Sequence, residues 1–171
     1  MHVQITDRPL LERMASMSVL AHIQPIFLHY DMHVVTDRVG EALASTSYAF
    51  KTMLNLGIPT SLGTDSPVED INAIDNLYCA VNRRDLKGDA EGQPDGFYAS
   101  EKLTVEEAVD CYTAGSAHAS FEENTKGRLL PGYAADLALL SDDIFTRDPL
   151  KMREIRVDRT IVNGRTVFVR N

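Results

Sequence analysis

The chain is short of cysteine, of positive charge and of long apolar runs, and each shortage argues against a class of function. Its two cysteines, Cys79 and Cys111, each fall in a helical pattern with no CxxC or Cys/His spacing. Buried, reduced thiols are therefore expected rather than a disulfide framework or a thiolate zinc site. Lys and Arg number 17 against 25 Asp and Glu, giving a net charge of −8 and a pI near 5.0. Nucleic acid and anionic membrane both require a basic face, so neither is expected as a partner. No apolar run reaches the ~20 residues of a membrane span. The opening Met1-His2-Val3-Gln4-Ile5-Thr6-Asp7 lacks the basic-then-apolar order of a secretory signal, and a cytoplasmic location is expected. There is no internal repeat and no low-complexity tract.

What is present is the composition of an ordinary globular domain, 44% hydrophobic and 25% charged over 171 residues, enough for one core. Asp7 can cap a helix with Pro9 in its first turn, and Leu10, Leu11, Met14 and Met17 would form its apolar face. A strand Val19 to Ile23 should stop at Gln24-Pro25, since proline cannot donate to a ladder. A loop is expected next, through Asp37-Arg38-Val39-Gly40, and then a helix from about Thr46 to Leu56 that Gly57 ends. A strand Ile58 to Leu62 and a helix from roughly Asn72 to Arg84 follow. Lys87 to Lys102, with Gly88, Gly92, Gly96 and Pro94, reads as a mobile loop. Thr104-Val105-Glu106-Glu107 is a capping box for a helix running to about Ser120. Beyond Lys126 the pattern turns to short strands at Leu129-Leu130, Ala135 to Leu140, Thr160 to Val162 and Thr166 to Val169. Asn163-Gly164 joins the last two as a hairpin.

Alternating helices and strands imply an α/β fold with parallel strands and helical crossovers. Two such strands are clear and His2 to Ile5 could be a third, too few to close a barrel of ~250 residues. Gly63-Thr64-Asp65-Ser66-Pro67 puts a single carboxylate where a strand gives out, the end at which α/β folds gather function. Asp65 could instead cap the helix that follows. Among the histidines, His22 reads as a paired histidine within its strand. His29 and His33, four apart, could share a zinc ion, although a substrate loop suits their segment better. His118 suits a helix C-terminus, and Asp136 a turn or ladder. Arg83 and Arg84 read as a solvated helix end, with a substrate carboxylate as the functional alternative.

Three segments, in order, resemble the C-terminal part of the metal-dependent amidohydrolase superfamily, in its amidohydrolase family 3 branch. They are Gly57-Ile58-Pro59-Thr60-Ser61-Leu62-Gly63-Thr64-Asp65-Ser66-Pro67-Val68, Leu103-Thr104-Val105-Glu106-Glu107-Ala108, and Lys126-Gly127-Arg128-Leu129-Leu130-Pro131-Gly132-Tyr133-Ala134-Ala135-Asp136-Leu137. The closing Thr160 to Phe168 is similar to the last hairpin of these enzymes. The resemblance implies a (β/α)₈ barrel whose last portion is residues 1–125, followed by part of a small β-domain in 126–171. It implies hydrolysis of C–N bonds in small-molecule amides or cyclic amides by a metal-activated hydroxide. Asp65 would be the last-strand aspartate, a metal ligand that also relays a proton, and His2 a second ligand. The cofactor of the full-length enzyme would be a divalent metal, zinc by expectation. The family's remaining ligands precede the point where this chain starts, so the chain alone should be inactive and hold zinc weakly or not at all. The alternatives are a non-catalytic binding or assembly subunit and a truncated product without function. Unpaired strand edges imply a homo-oligomer.

Overall fold

Caps and breakers set where several of the elements begin and end. In the computed structural model, which describes residues 2–171, helix α1 (Arg8–Ser16) starts where the Asp7 carboxylate accepts the N–H of Leu10 at 2.8 Å, with Pro9 in the first turn. Of the four residues expected on its apolar face only Leu11 is buried. Leu10 and Met17 are exposed, because the helix lies on the surface and presents a narrow stripe to the core. Strand β1 (Ala21–Ile23) stops at Gln24-Pro25 as expected.

The expected loop after β1 is instead helical. A 3₁₀ turn (Pro25–Phe27) leads into α2 (Leu28–Asp31) and α3 (Val35–Ala44), the latter broken internally at Gly40, where φ is 78°. Leu28, Met32 and Val35 are all buried at helical spacing. Polar residues between them, His29, Tyr30, Asp31 and His33, hide that period. Helix α4 (Phe50–Asn55) is shorter than expected. The backbone before it is drawn off to the N-terminal segment: the Tyr48 N–H donates to the Gln4 carbonyl at 2.8 Å, and the Thr46 and Thr6 hydroxyls each donate to the other residue's carbonyl.

Strand β2 (Thr60–Leu62) pairs in parallel with β1, with Ala21 opposite Thr60, His22 opposite Ser61 and Ile23 opposite Leu62. His2 to Ile5 forms no strand; one backbone bond, from His2 N–H to the His22 carbonyl at 2.8 Å, holds its start beside β1. Helix α5 (Ala73–Asn82) is capped by Asn72, which accepts from Ile74 N–H at 3.0 Å, and closed by Arg83 at φ 50°. The capping box opens α6 (Val105–Tyr112) as expected, but the helix breaks at Thr113 (φ −106°, ψ −80°) before α7 (Ala114–Ala119). The break sets Gly115 hard against β2, where an added Cβ would stand 2.3 Å from the Thr60 carbonyl oxygen. Between α5 and α6 the chain has one 3₁₀ turn, Ala99–Glu101.

A separate antiparallel sheet, in the order β3 (Leu137–Leu140), β4 (Val157–Val162), β5 (Arg165–Val169), ends the chain. Asn163 and Gly164, both at positive φ, make its hairpin turn. The Asp136 carboxylate accepts the Asn163 N–H at 2.7 Å, the turn role expected of it. Leu129-Leu130, expected as a strand, lies outside any strand. Leu139, Val162, Val167, Phe168 and Val169 are exposed on this sheet.

The core gathers instead around the parallel pair, with Ala21, Ile23 and Leu62 against Ile26, Leu28, Phe50, Met53 and Ile58. Both cysteines are free and buried there. Arg83, expected at a solvated helix end, is fully buried. Its guanidinium donates to the carbonyls of Tyr48 and Phe97 and lies over the Phe50 ring, and burial lowers its pKa to about 10. Arg84 donates to the carbonyls of Gly88 and Pro94. The architecture is mixed α/β. Among the described residues no helix is long and apolar enough to cross a membrane.

Candidate functional site

At the C-terminal end of the parallel pair, residues from three segments converge. The His2 Nε2 stands 3.4 Å from Asp65 Oδ2, and each side chain is 35% exposed, so solvent reaches both. His22, on β1, lies between these segments. Its Nδ1 contacts the Ser61 hydroxyl across the strand pair, and its Nε2 sits beside Gly63, 3.6 Å from where a Cβ would be. Burial holds the His22 imidazole below its ordinary pKa against the opposing pull of Asp65.

Local structure fixes each member. The ring of His2 stacks on Phe27, with centroids 5.4 Å apart and planes within 4°. Two residues on, the Gln4 amide donates to the Tyr48 hydroxyl at 2.8 Å, and that hydroxyl donates to Asp31. On the other side, Gly63 N–H continues the ladder to the Ile23 carbonyl at 3.0 Å. Asp65 then takes the left-handed conformation, φ 59°, that Asp tolerates better than most residues. Its own carbonyl closes a turn by accepting from Val68 N–H at 2.9 Å. Because α5 is capped by Asn72, Asp65 is not the cap of that helix.

Asn76, which sequence reasoning missed, ties the two strand ends together. Fully buried in α5, it accepts from Ile26 N–H at 2.8 Å and donates to the Gly63 carbonyl at 3.0 Å. A polar residue inside the apolar stripe of that helix was the available signal.

The remaining histidines pair with acids. His29 Nε2 is 3.6 Å from Glu69 Oε2, and both side chains are largely buried. His33 faces Asp85 at 3.3 Å and Glu91, so His29 and His33 go to different acids and not to a common site. His118, in the last turn of α7, is 3.6 Å from Glu123. A cavity of about 440 Å³, lined in part by Pro59, Thr60, Gly115 and His118, opens at the start of β2, at the opposite end of the strand from Asp65.

Chemically, an imidazole and a carboxylate at 3.4 Å suit a divalent cation. Two donors each ~2.1 Å from a tetrahedral zinc ion stand about that far apart. Two protein ligands are fewer than the three or four of zinc sites.

The sequence model of the amidohydrolase family matches residues 1–168. A putative amidohydrolase of Bacillus subtilis, YtcJ, is 35% identical over 167 residues, 98% of this chain and 31% of its own length. The N-substituted formamide deformylase of Arthrobacter pascens is 32% identical over 117 residues, 68% of this chain and 20% of its own. An uncharacterized metal-dependent hydrolase from Pyrococcus horikoshii superimposes with a TM-score of 0.66 at 28% identity, over 78% of this chain and 26% of that one. The chain thus spans under a third of the length of these relatives. Over nearly all of its own length, however, it carries the family's sequence, and it belongs to the amidohydrolase family.

Proposed function

We propose that the chain is the C-terminal part of a metal-dependent (β/α)₈ hydrolase acting on C–N bonds of small amides or cyclic amides. In this reading β1 and β2 are neighbouring barrel strands, residues 1–125 are the barrel portion, and 126–171 belong to a small β-domain. The observation that carries it is the approach of His2 Nε2 to Asp65 Oδ2 at 3.4 Å beyond the ends of two parallel strands, where (β/α)₈ enzymes hold their catalytic groups. The formamide deformylase among the relatives supports the amide.

His2 and Asp65 would hold the cation, zinc by preference, through Nε2 and a carboxylate oxygen. A bound divalent ion supplies an acidified water and a polarised carbonyl. The rest falls to the chain's own side chains. Asp65, with a second oxygen to spare, accepts the water's proton there and returns it to the departing nitrogen. Phe27 fixes the plane of the His2 ring, and Gln4, clamped by Tyr48, fixes the backbone that presents it. His22, favoured as the neutral imidazole, can hydrogen-bond substrate without adding positive charge near the cation. Two ligands are too few for tight binding, so the 171-residue chain alone is inactive and holds zinc weakly at this position.

The test is made on the polypeptide of the complete reading frame that contains this sequence. Wild type and Asp65→Asn are assayed on N-formyl amines and cyclic amides, with metal content measured on both. Wild-type turnover that falls at least a thousandfold in the variant, with circular dichroism unchanged, is the expected result, since metal and proton relay are both impaired. Equal turnover in the two proteins overturns the assignment of Asp65. Absence of turnover in both favours a non-catalytic binding or assembly subunit.

A further inference from the structure

Where the parallel ladder stops, the two segments that carry the candidate site run on separately. The last rung is Gly63 N–H on the Ile23 carbonyl at 3.0 Å. Among the described residues no backbone hydrogen bond joins residues 24–33 to residues 64–71. Further out, His29 Nε2 faces Glu69 Oε2 at 3.6 Å, beyond hydrogen-bond reach.

Asn76 spans that gap from α5. Its Oδ1 accepts the Ile26 N–H at 2.8 Å, and its Nδ2 donates to the Gly63 carbonyl at 3.0 Å. Each anchor lies next to a part of the site. Ile26 precedes Phe27, on whose ring His2 stacks, and the Gly63 carbonyl belongs to the peptide that leads through Thr64 to Asp65. One strand end offers a donor and the other an acceptor, so a side chain that bridges them must supply one of each, and the amide fits in one orientation alone. Leucine, of similar shape, would leave both backbone groups unpaired. Asn76 is fully buried among Ile74, Leu77 and Val81 of the same helix. An amide there forfeits its solvation, which only fixed partners return.

We propose that Asn76 is a positioning residue for the hydrolysis: it sets the separation of the Phe27 and Asp65 segments, and with it the 3.4 Å approach of His2 Nε2 to Asp65 Oδ2. The role rests on the reading of His2 and Asp65 as metal ligands. Asn76 touches neither of them and acts through the backbone of Ile26 and Gly63. Such spacing matters steeply, since a misplacement of about 1 Å costs about a hundredfold in rate.

Asn82 supplies an internal comparison. It is buried nearer the C-terminus of the same helix, where its amide donates to the carbonyls of Tyr78 at 3.3 Å and Pro149 at 2.9 Å instead of to a strand end. The test uses the polypeptide of the complete reading frame, as parent, Asn76→Leu and Asn82→Leu, with Asn76→Ala, which leaves room for water at both backbone groups, in place of a leucine variant that does not fold. Kinetics on N-formyl amines in excess zinc chloride, thermal melting and crystal structures are compared. Both leucine variants should melt lower than the parent. Only the Asn76 variant should lose kcat, about ten- to a hundredfold with KM little changed, and its His2 Nε2–Asp65 Oδ2 separation should change by about 0.5–1 Å. The proposal is overturned if the Asn76 variant keeps the parent's kcat, if Asn82→Leu loses as much, or if the His2–Asp65 separation stays as in the parent. Should the parent turn nothing over, the hydrolase reading fails, and the separation alone then supports or overturns the role of Asn76.

Discussion

Tyr48 holds Gln4 at two points, its N–H on the Gln4 carbonyl and its hydroxyl under the Gln4 amide, each at 2.8 Å. The clamp fixes the backbone two residues from His2. Tyr48 is buried, and burial together with Asp31 pushes its hydroxyl far above the ordinary tyrosine range, so it stays a phenol at any working pH. Tyr48→Phe removes a donor from Asp31 and an acceptor from Gln4. A loss of about 1–3 kcal/mol is expected, read as a lower urea midpoint at constant slope. An unchanged midpoint would show that the clamp contributes nothing.

Gly115 touches β2 so closely that no side chain fits. Gly115→Ala must push α7 off the strand or bend the chain at Thr113, and overpacking of this kind costs about 1–3 kcal/mol. Thermal melting checks it, and a variant as stable as the parent would mean that α7 can shift freely.

Glu107 couples the capping box of α6 to Lys51 on α4. Burial raises its pKa, but the hydrogen bonds from Lys51 and the Thr104 N–H outweigh this, and the net shift is downward from 4.5. A depressed folded pKa means that the unfolded chain takes up the proton first. The contribution to stability is therefore complete above pH 4.5 and is lost as the pH falls from there through the folded value. Glu107→Gln keeps an oxygen for the Thr104 N–H and cannot titrate. Its stability should vary less between pH 5 and about 3 than that of the parent, measured by urea unfolding across that range; parallel profiles would refute the linkage.

The sheet β3–β4–β5 exposes Leu139, Val162, Val167, Phe168 and Val169, and β5 has a free edge. Exposed apolar strands of this kind invite pairing with another chain. We expect the isolated chain to form a homodimer or larger oligomer. Light scattering on a sizing column at low concentration decides the matter, and a stable 19.0 kDa monomer would refute it.

Local signals carried much of the fold into view. Asp7, Pro25, Asn72, the Thr104–Glu107 box and Asn163-Gly164 each act within a few residues, so their consequences are readable in order along the chain. The region from Pro25 to Ala44 is not readable locally, because Leu28, Met32 and Val35 are separated by polar side chains, among them two histidines that pair with distant acids. Arg83 escapes a local reading for a related reason: its burial depends on the carbonyls of Tyr48 and Phe97, brought there by tertiary packing. Within the candidate site, Asp65 was marked by the strand that ends before it. The supports from Phe27, Tyr48 and Asn76 had no local pattern, since each acts across the fold.

The two sheets differ in how far the chain must travel to close them. Two residues close the β4–β5 hairpin, a step of about 1–10 μs in isolated hairpins. His22 and Ser61, opposite one another in β1 and β2, are 39 residues apart, and ordering so long a crossover comes before any ladder bond rewards it. The β4–β5 hairpin is therefore expected to form early and the parallel pair late. His2 emerges from the ribosome well before Asp65, and the two have no common place until that crossover closes. Closing that crossover is then the event that brings His2 and Asp65 together.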